Sequence, residues 1–241
     1  MLDFHSHLLP GIDDGSRNIE MSVGMLNMWK EQGVSIVCAT PHFYADSMSP
    51  SRFLDRRERS YSSLIDALTG ASYPRIYKGA EVHYFRGMSS SEDIGRLCLQ
   101  GTKLLLVEMP FHEWSDYMIR EISELRSMGF IPVAAHIERY MSGQPGKKID
   151  ALLDTGIMIQ CNAEFFLSLR TRRKALRMLA DRKIDFLGSD AHNLSSRMPN
   201  LGDAYKIIRK KLGDDSLLHI RKNEKMLTNA WQLTRSTEEA L

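Results

Sequence analysis

The chain has 241 residues, of which 43% are apolar and 26% charged, an ordinary balance for a protein with a packed core. Its formal charge is only +2, from 32 basic and 30 acidic residues, which argues against a protein that lives on nucleic acid or an acidic membrane. The opening MLDFHSHLLPG has neither the basic nor the apolar region of a secretory signal, and no stretch approaches the roughly 20 apolar residues of a membrane helix, so no membrane insertion is expected.

In chain order, Leu2–Phe4 is a short apolar run, followed by an amphipathic stretch over Asn18–Gln32. Ile19, Val23, Leu26 and Met28 fall near one face of that helix, and Gly33 is positioned to cap it. The methionines between Met21 and Met28 read as core packing. Apolar runs then recur at Val34–Ala39, Arg75–Lys78, Leu104–Val107, Ile131–Ala135, Ile157–Gln160 and Phe186–Gly188. Between them lie helical patterns at Arg52–Leu68, Tyr117–Met128, Lys148–Asp154, Thr171–Asp181 and Asp203–Leu212. Gly129, Gly156 and Gly213 stand just past three of these. A last helix over Asn223–Leu233 is expected to pack through Met226, Leu227 and Trp231. Cys38, Cys98 and Cys161 are odd in number and sit within apolar runs, so they read as buried free thiols, with the cytoplasm as the expected address.

Seven strand–helix alternations predict a parallel α/β sheet, and no break in composition divides the chain, so residues 1–241 are expected to form one domain. A closed barrel would seal seven strands, but the pattern alone does not separate it from an open doubly wound sheet.

The residues at the strand ends are unusual. His5 and His7 follow the first run, with Asp14 on the loop beyond; His42 follows the second; Glu81 stands near the third. Glu108, His136, Asp190 and His192 follow later strands, so metal-ligand types gather where a parallel sheet builds its site. In His5-Ser6-His7 and Asp190-Ala191-His192 the period of two aims both ligands to one side of an extended segment. Mixed imidazole and carboxylate donors suit manganese, iron or zinc, and nine candidates are too many for one ion. Two or three ions sharing carboxylates, with Glu81 as a bridge, fit better. Arg139 and Arg197 stand beside these ligands and are suited to hold a phosphoryl group, which points to phosphate ester hydrolysis. A metal cluster alone would fit an amidohydrolase equally well.

Other phosphatase chemistries are absent. Tyr44, Leu104 and Leu167 occupy the positions six beyond the cysteines, so no thiolate loop ends in arginine, and no GxxxxGK[ST] loop exists. Asp13 competes with Asp14 as a ligand. His83, His112 and His219 are read as non-ligands, Asn162 as a turn residue, and the basic run Arg52–Arg59 as a solvated helix face rather than a phosphopeptide surface.

The segments DFHSHLLPGIDDG, ATPHF, GAEV, LLLVEMPF, PVAAHIER and FLGSDAHN fall in order over most of the chain. Together they resemble the polymerase-and-histidinol-phosphatase (PHP) superfamily. Within it the chain resembles the bacterial manganese-dependent protein-tyrosine phosphatases that accompany capsule and exopolysaccharide tyrosine kinases. The resemblance implies a distorted seven-stranded TIM-like barrel and three manganese ions. His5, His7, Glu81 and Asp190 would hold the first; Glu81, Glu108 and His136 the second; Asp14, His42 and His192 the third. Arg139 and Arg197 would bind phosphate. The expected reaction is attack of a metal-activated hydroxide on phosphotyrosine of a bacterial kinase or its C-terminal tail, with Asp14, His192 or a water supplying the proton. A histidinol-phosphatase-like enzyme or phosphodiesterase is the alternative within the superfamily, and a metal-bound scaffold the alternative outside it.

Overall fold

The computed structural model describes residues 1–69 and 72–238. Nine strand segments and eight α-helices alternate along these residues. The strands are β1 (Leu2–Ser6), β2 (Ile36–Ala39), β3 (His42–Phe43), β4 (Arg75–Lys78) and β5 (Glu81–His83), then β6 (Leu104–Glu108), β7 (Ile131–Ala134), β8 (Met158–Asn162) and β9 (Phe186–Gly188). All paired strands are parallel, in the orders β1-β2-β4 and β3-β5-β6-β7-β8-β9.

The expected parallel α/β sheet is therefore present, with two interruptions that the apolar runs do not reveal. The second strand stops at Ala39 and resumes after Pro41 as β3; the third stops at Lys78 and resumes after Gly79-Ala80 as β5. Proline has no N–H to give to a ladder, which explains the first break. The two resumed segments pair with each other, His42 against Glu81. The sheet curls so that β1 meets β9: Ser6 bridges Ala191, and Phe4 stacks on Phe186 with ring centroids 4.1 Å apart.

The helices form within a few residues of their expected bounds: α1 (Ile19–Glu31), α2 (Pro50–Ala67), α3 (Asp116–Ser127), α4 (Gly146–Asp154), α6 (Arg172–Ala180) and α7 (Leu201–Leu212). A short α5 (Glu164–Leu167) precedes α6, and the last helix, α8, runs from Leu218 to Glu238. Side-chain caps explain several starts. Asn18, Ser49 and Ser115 each accept an N–H from the first turn, and Pro50 pre-sets the first position of α2. In α1 Leu26 is buried as expected, but Ser22, Met25 and Trp29 complete the buried face in place of Ile19, Val23 and Met28. The indole Nε1 of Trp29 donates to Asp3 at 2.7 Å, and that anchor turns the helix.

Two cores lie on opposite faces of the sheet. The convex face, with Val37, Val82, Leu105, Val107, Ile159 and Leu187, packs against the helices. The concave face carries Leu2, Phe4, Ile36, Leu104, Leu106, Val133 and Phe186, and is plugged by Leu227 and Trp231 of α8. Trp231 stacks on Tyr77 at 3.6 Å and donates to the Gln100 carbonyl at 2.7 Å. Met226, expected to pack with them, is 44% exposed because it points off the other side of the helix. The three cysteines are buried and free, as expected. Among the described residues no helix is long and apolar enough to cross a membrane.

Candidate metal centre

The end of the concave groove opposite α8 is polar. A register shift between Asp3 and Ser6 inserts one extra residue into β1 against β2. Side chains that would alternate are re-aimed by such a bulge, and here it lets His5 follow Phe4 onto the concave side. His7 comes next on that side. Its Nδ1 lies 2.7 Å from Asp13 Oδ2, which also accepts the His42 N–H at 3.0 Å. The return of the loop requires Gly15, where an added Cβ would lie 2.3 Å from the His7 Cβ. Gly188 plays the same part beside His5, whose Cβ would be 2.7 Å away.

Glu81 stands at the middle. Its Oε1 lies 2.7 Å from His136 Nε2, and its Oε2 lies 3.0 Å from His42 Nδ1, 3.3 Å from His7 Nε2 and 3.5 Å from His5 Nε2. Glu108 reaches within 3.6 Å of His136, and Asp190 within 3.1 Å of His5. Asp14, 63% exposed at the mouth, lies 3.4 Å from His192 and 3.6 Å from His42. All nine expected ligands thus meet. Four overlapping groups have donor atoms within 4.8 Å of one another: His7, Asp14, His42 and His192; His5, His136 and Asp190; His5, His7 and Glu81; and His42, Glu81 and Glu108. These groups share members across the sets that the resemblance implies, with Glu81 in two of them.

The donor atoms are poorly served by one another. Glu81 Oε2, His5 Nδ1, His42 Nδ1, His136 Nδ1 and His192 Nε2 are buried without a hydrogen-bond partner. Buried polar groups are normally satisfied; Glu81 Oε2 and His42 Nδ1, 3.0 Å apart, and His192 Nε2, 3.4 Å from Asp14, face into the cluster, where a cation would relieve them. Burial opposes ionisation of Glu81, yet His5, His136, His42 and His7 hold its carboxyl well below the usual range. Burial likewise opposes ionisation of Asp13, but His7 keeps it at about 2. Burial, and then His7, lowers His192 to about 4, so its imidazole is neutral at working pH.

Two ligands carry unusual backbones. His136 and Asp190 have φ of 32° and 54°, the left-handed region that side chains other than glycine seldom occupy. Strain of about 1–3 kcal/mol at each is typical of sites where geometry serves chemistry. Gln160 holds His136 by accepting its N–H at 2.6 Å, and Asp190 donates its N–H to the His5 carbonyl at 2.8 Å.

Arg139 and Arg197 both point to Asp190 Oδ2, Arg197 at 2.8 Å and Arg139 in direct contact. Both side chains remain more than a third exposed, Arg139 at 35% and Arg197 at 38%, and Arg197 also lies 4.0 Å from Asp14 at the mouth. Asn162 was expected to be a turn residue. It ends β8, buried, and donates to Asp190 Oδ2 at 2.9 Å. Gln160 Nε2 in turn donates to the Asn162 oxygen, a chain of amides behind the ligands. His83, read as a non-ligand, lies with Nδ1 3.0 Å from Glu108 Oε2. His219 pairs with Asp185 away from the site, and His112 is exposed. Tyr44 went unremarked by sequence reasoning. It is 38% exposed at the mouth, its ring 5.2 Å from that of His42 and 5.3 Å from that of His83. The signal that could have found it is its place two residues past a strand-end histidine.

A curled parallel α/β sheet with clustered histidines and carboxylates at the C-terminal ends of its strands, and arginines at the rim, defines a metal-centred protein able to receive a phosphoryl anion. The family model for capsular polysaccharide synthesis proteins, CpsB/CapC, matches residues 1–229, and the chain belongs to that family. The tyrosine-protein phosphatase CpsB of Streptococcus agalactiae serotype III (strain NEM316) is 28% identical over 247 residues, covering 98% of this chain and 99% of that protein. YwqE of Bacillus subtilis (strain 168), also named a tyrosine-protein phosphatase, is 26% identical over 94% of this chain and 91% of its own length. Among solved structures, one from the pair YwqE of Bacillus subtilis and CpsB of Streptococcus pneumoniae, described as unique metal-dependent tyrosine phosphatases, superposes with TM-score 0.78. It is 25% identical and covers 98% of this chain and 94% of that one. The phosphotriesterase homology protein of Escherichia coli, 12% identical with TM-score 0.51 over 92% of this chain and 96% of that one, shares the fold.

Proposed function

We infer that this chain is a metal-dependent protein-tyrosine phosphatase acting on a tyrosine-phosphorylated protein of capsule or exopolysaccharide synthesis, with a bacterial tyrosine kinase or its C-terminal tail as substrate. The observation that carries this is the convergence of nine ligand-type side chains, several with unpartnered buried donor atoms, beside two arginines. The family membership and the relatives' names support it. We take residues 1–241 as one catalytic domain of the cytoplasm, and the curled sheet as a distorted seven-stranded barrel in which β2 and β3, and β4 and β5, count as interrupted single strands.

His5, His7, Asp14, His42, Glu81, Glu108, His136, Asp190 and His192 would hold the ions, three of them by resemblance, with manganese favoured by the hard and borderline donor set and iron or zinc compatible with it. When bound, such ions supply Lewis acidity toward a phosphoryl oxygen and lower the pKa of a coordinated water. The chain's own groups do the rest. Arg139 and Arg197 turn their outward N–H groups to the non-bridging oxygens and neutralise the charge that develops there. A tyrosyl leaving group has a pKa of about 10, so it needs little protonation, and Asp14 at the mouth is placed to pass a proton to the departing oxygen while the buried, neutral His192 serves as a ligand. The half-exposed Tyr44 ring offers a face for the substrate's aromatic ring.

The test is hydrolysis of a phosphotyrosine peptide beside a phosphoserine peptide and histidinol phosphate, each with manganese, with chelator, and with His136→Ala. Phosphotyrosine turnover that requires both metal and His136 is the expected outcome. Turnover of histidinol phosphate alone would move the function to a small-molecule phosphatase, and none at all would favour a phosphodiesterase or a scaffold.

A further inference from the structure

A groove of about 500 Å³ lies between the Pro10–Ile12 loop, the first turn of α1 and the solvent side of α2. Arg17, Arg56 and Arg59 line it with the hydroxyls of Ser60 and Ser63, against a single carboxylate, Glu20. Among the described residues none of these guanidiniums pairs with a carboxylate. Arg56 donates to the Ile12 carbonyl at 3.1 Å, and Arg17 and Arg59 hold no partner. The positive end of α1, beginning at Ile19, adds to the same field. Three cations facing one anion in a concavity are arranged for an anionic ligand.

The groove is tied to the metal centre. Ile12 stands two residues before Asp14, so their Cα atoms can be no more than about 7 Å apart. Arg56 at Ile12, and Ser60 Oγ donating to the Pro10 carbonyl at 2.7 Å, fix the loop that carries Asp13 and Asp14 to α2. A peptide with its phosphotyrosine at the centre would bring residues two or three positions away to this groove. Its flank, if acidic, would find the Arg17 and Arg59 guanidiniums, which among the described residues hold no partner.

We propose that this groove docks acidic side chains flanking the phosphorylated tyrosine of the substrate, so that the basic segment of α2 and Arg17 set sequence preference. The proposal rests on the phosphatase reading above. Arg17 and Arg59 are the docking cations, and Arg56 chiefly secures the loop.

The metal-loaded enzyme is assayed on one phosphotyrosine peptide with glutamate flanks, the same peptide with neutral flanks, and an aryl phosphate without peptide. The acidic peptide is expected to show a KM lower by about fivefold to tenfold at equal kcat, an advantage that fades with salt. Arg17→Ala with Arg59→Ala should bring the two peptides' KM values together, and Glu20→Gln should widen the gap. Equal KM values for both peptides with the unaltered enzyme, or an advantage that survives the double substitution, would overturn the proposal. Failure of all three substrates would instead remove the phosphatase reading. The groove is then judged by titrating the unphosphorylated glutamate peptide: binding abolished by the double substitution supports it, and no binding to the unaltered protein refutes it.

Discussion

At the residue scale, the site depends on groups behind the ligands as much as on the ligands. Asp190 is held by Arg139, Arg197 and Asn162, and His136 by Gln160, so the two strained residues are also the most supported. Removing an outer partner of this kind typically lowers metal affinity or activity about 10–100-fold. Asn162→Ala should therefore weaken metal binding by roughly tenfold or more in a calorimetric titration while leaving the fold intact; unchanged affinity would show that the amide is a bystander. Tyr44→Ala should raise KM for a phosphotyrosine peptide by about twofold to tenfold, the scale of one aromatic pair, with kcat little changed. The candidate ligands, and the fact that they would gather at one end of the sheet, were legible in the sequence because their chemistry is rare at strand ends. Gln160 was not, since it closes an expected strand and nothing in its run shows that its amide holds His136, and Asn162, weighed as a neighbour of the site, read as a turn residue until the sheet's curl brings it beneath Asp190. Asp13 and Asp14 share one turn, and only the folded loop separates the carboxylate that orients His7 from the one at the mouth.

At the element scale, three irregularities build the centre: the bulge in β1, the break at Pro41 and the break at Gly79-Ala80. Apolar runs announce strands but not the points where a strand shifts register, because one inserted residue leaves composition unchanged. Thus the parallel α/β sheet was foreseeable, and its strand order and the pairing of His42 with Glu81 were not. The β1–α1 loop is the most constrained connection. Gly15→Ala would drive a Cβ to 2.3 Å from that of His7, so the loop must move and carry Asp13 and Asp14 with it. Loss of metal binding with a lowered melting temperature is the expected result; retention of both would mean the loop can relax at no cost to the site. The α1 face was misassigned for a related reason: Asp3, a buried carboxylate whose partner could not be read from periodicity, draws Trp29 inward.

At the scale of the whole molecule, the two ends of the concave groove have divided tasks. Leu227 and Trp231 close the end at the strands' N-termini, leaving the other for the metal centre. Trp231→Ala should cost about 3–5 kcal/mol of stability, as large core truncations do, yet leave kcat/KM of the folded enzyme near its original value, read by denaturation and by turnover below the melting point. Glu224 of α8 accepts from the Leu2 N–H and the Tyr205 hydroxyl, and its burial raises its pKa. A carboxyl whose folded pKa is raised costs nothing below its unfolded pKa and destabilises as pH climbs through the folded value. Glu224→Gln keeps both hydrogen bonds, so the metal-free variant should gain stability over the parent at pH 7 and not at pH 4.

Glu81, placed between His5, His7, His42 and His136, is expected to gather the ions on which phosphotyrosine hydrolysis depends. The most direct measurement strips the protein with chelator, restores manganese, and follows bound metal per chain and phosphotyrosine turnover together, in the parent and in Glu81→Gln. Turnover is expected to return with binding of more than one ion in the parent, and Glu81→Gln to lose both. Full turnover by the stripped protein, or by Glu81→Gln, would contradict this.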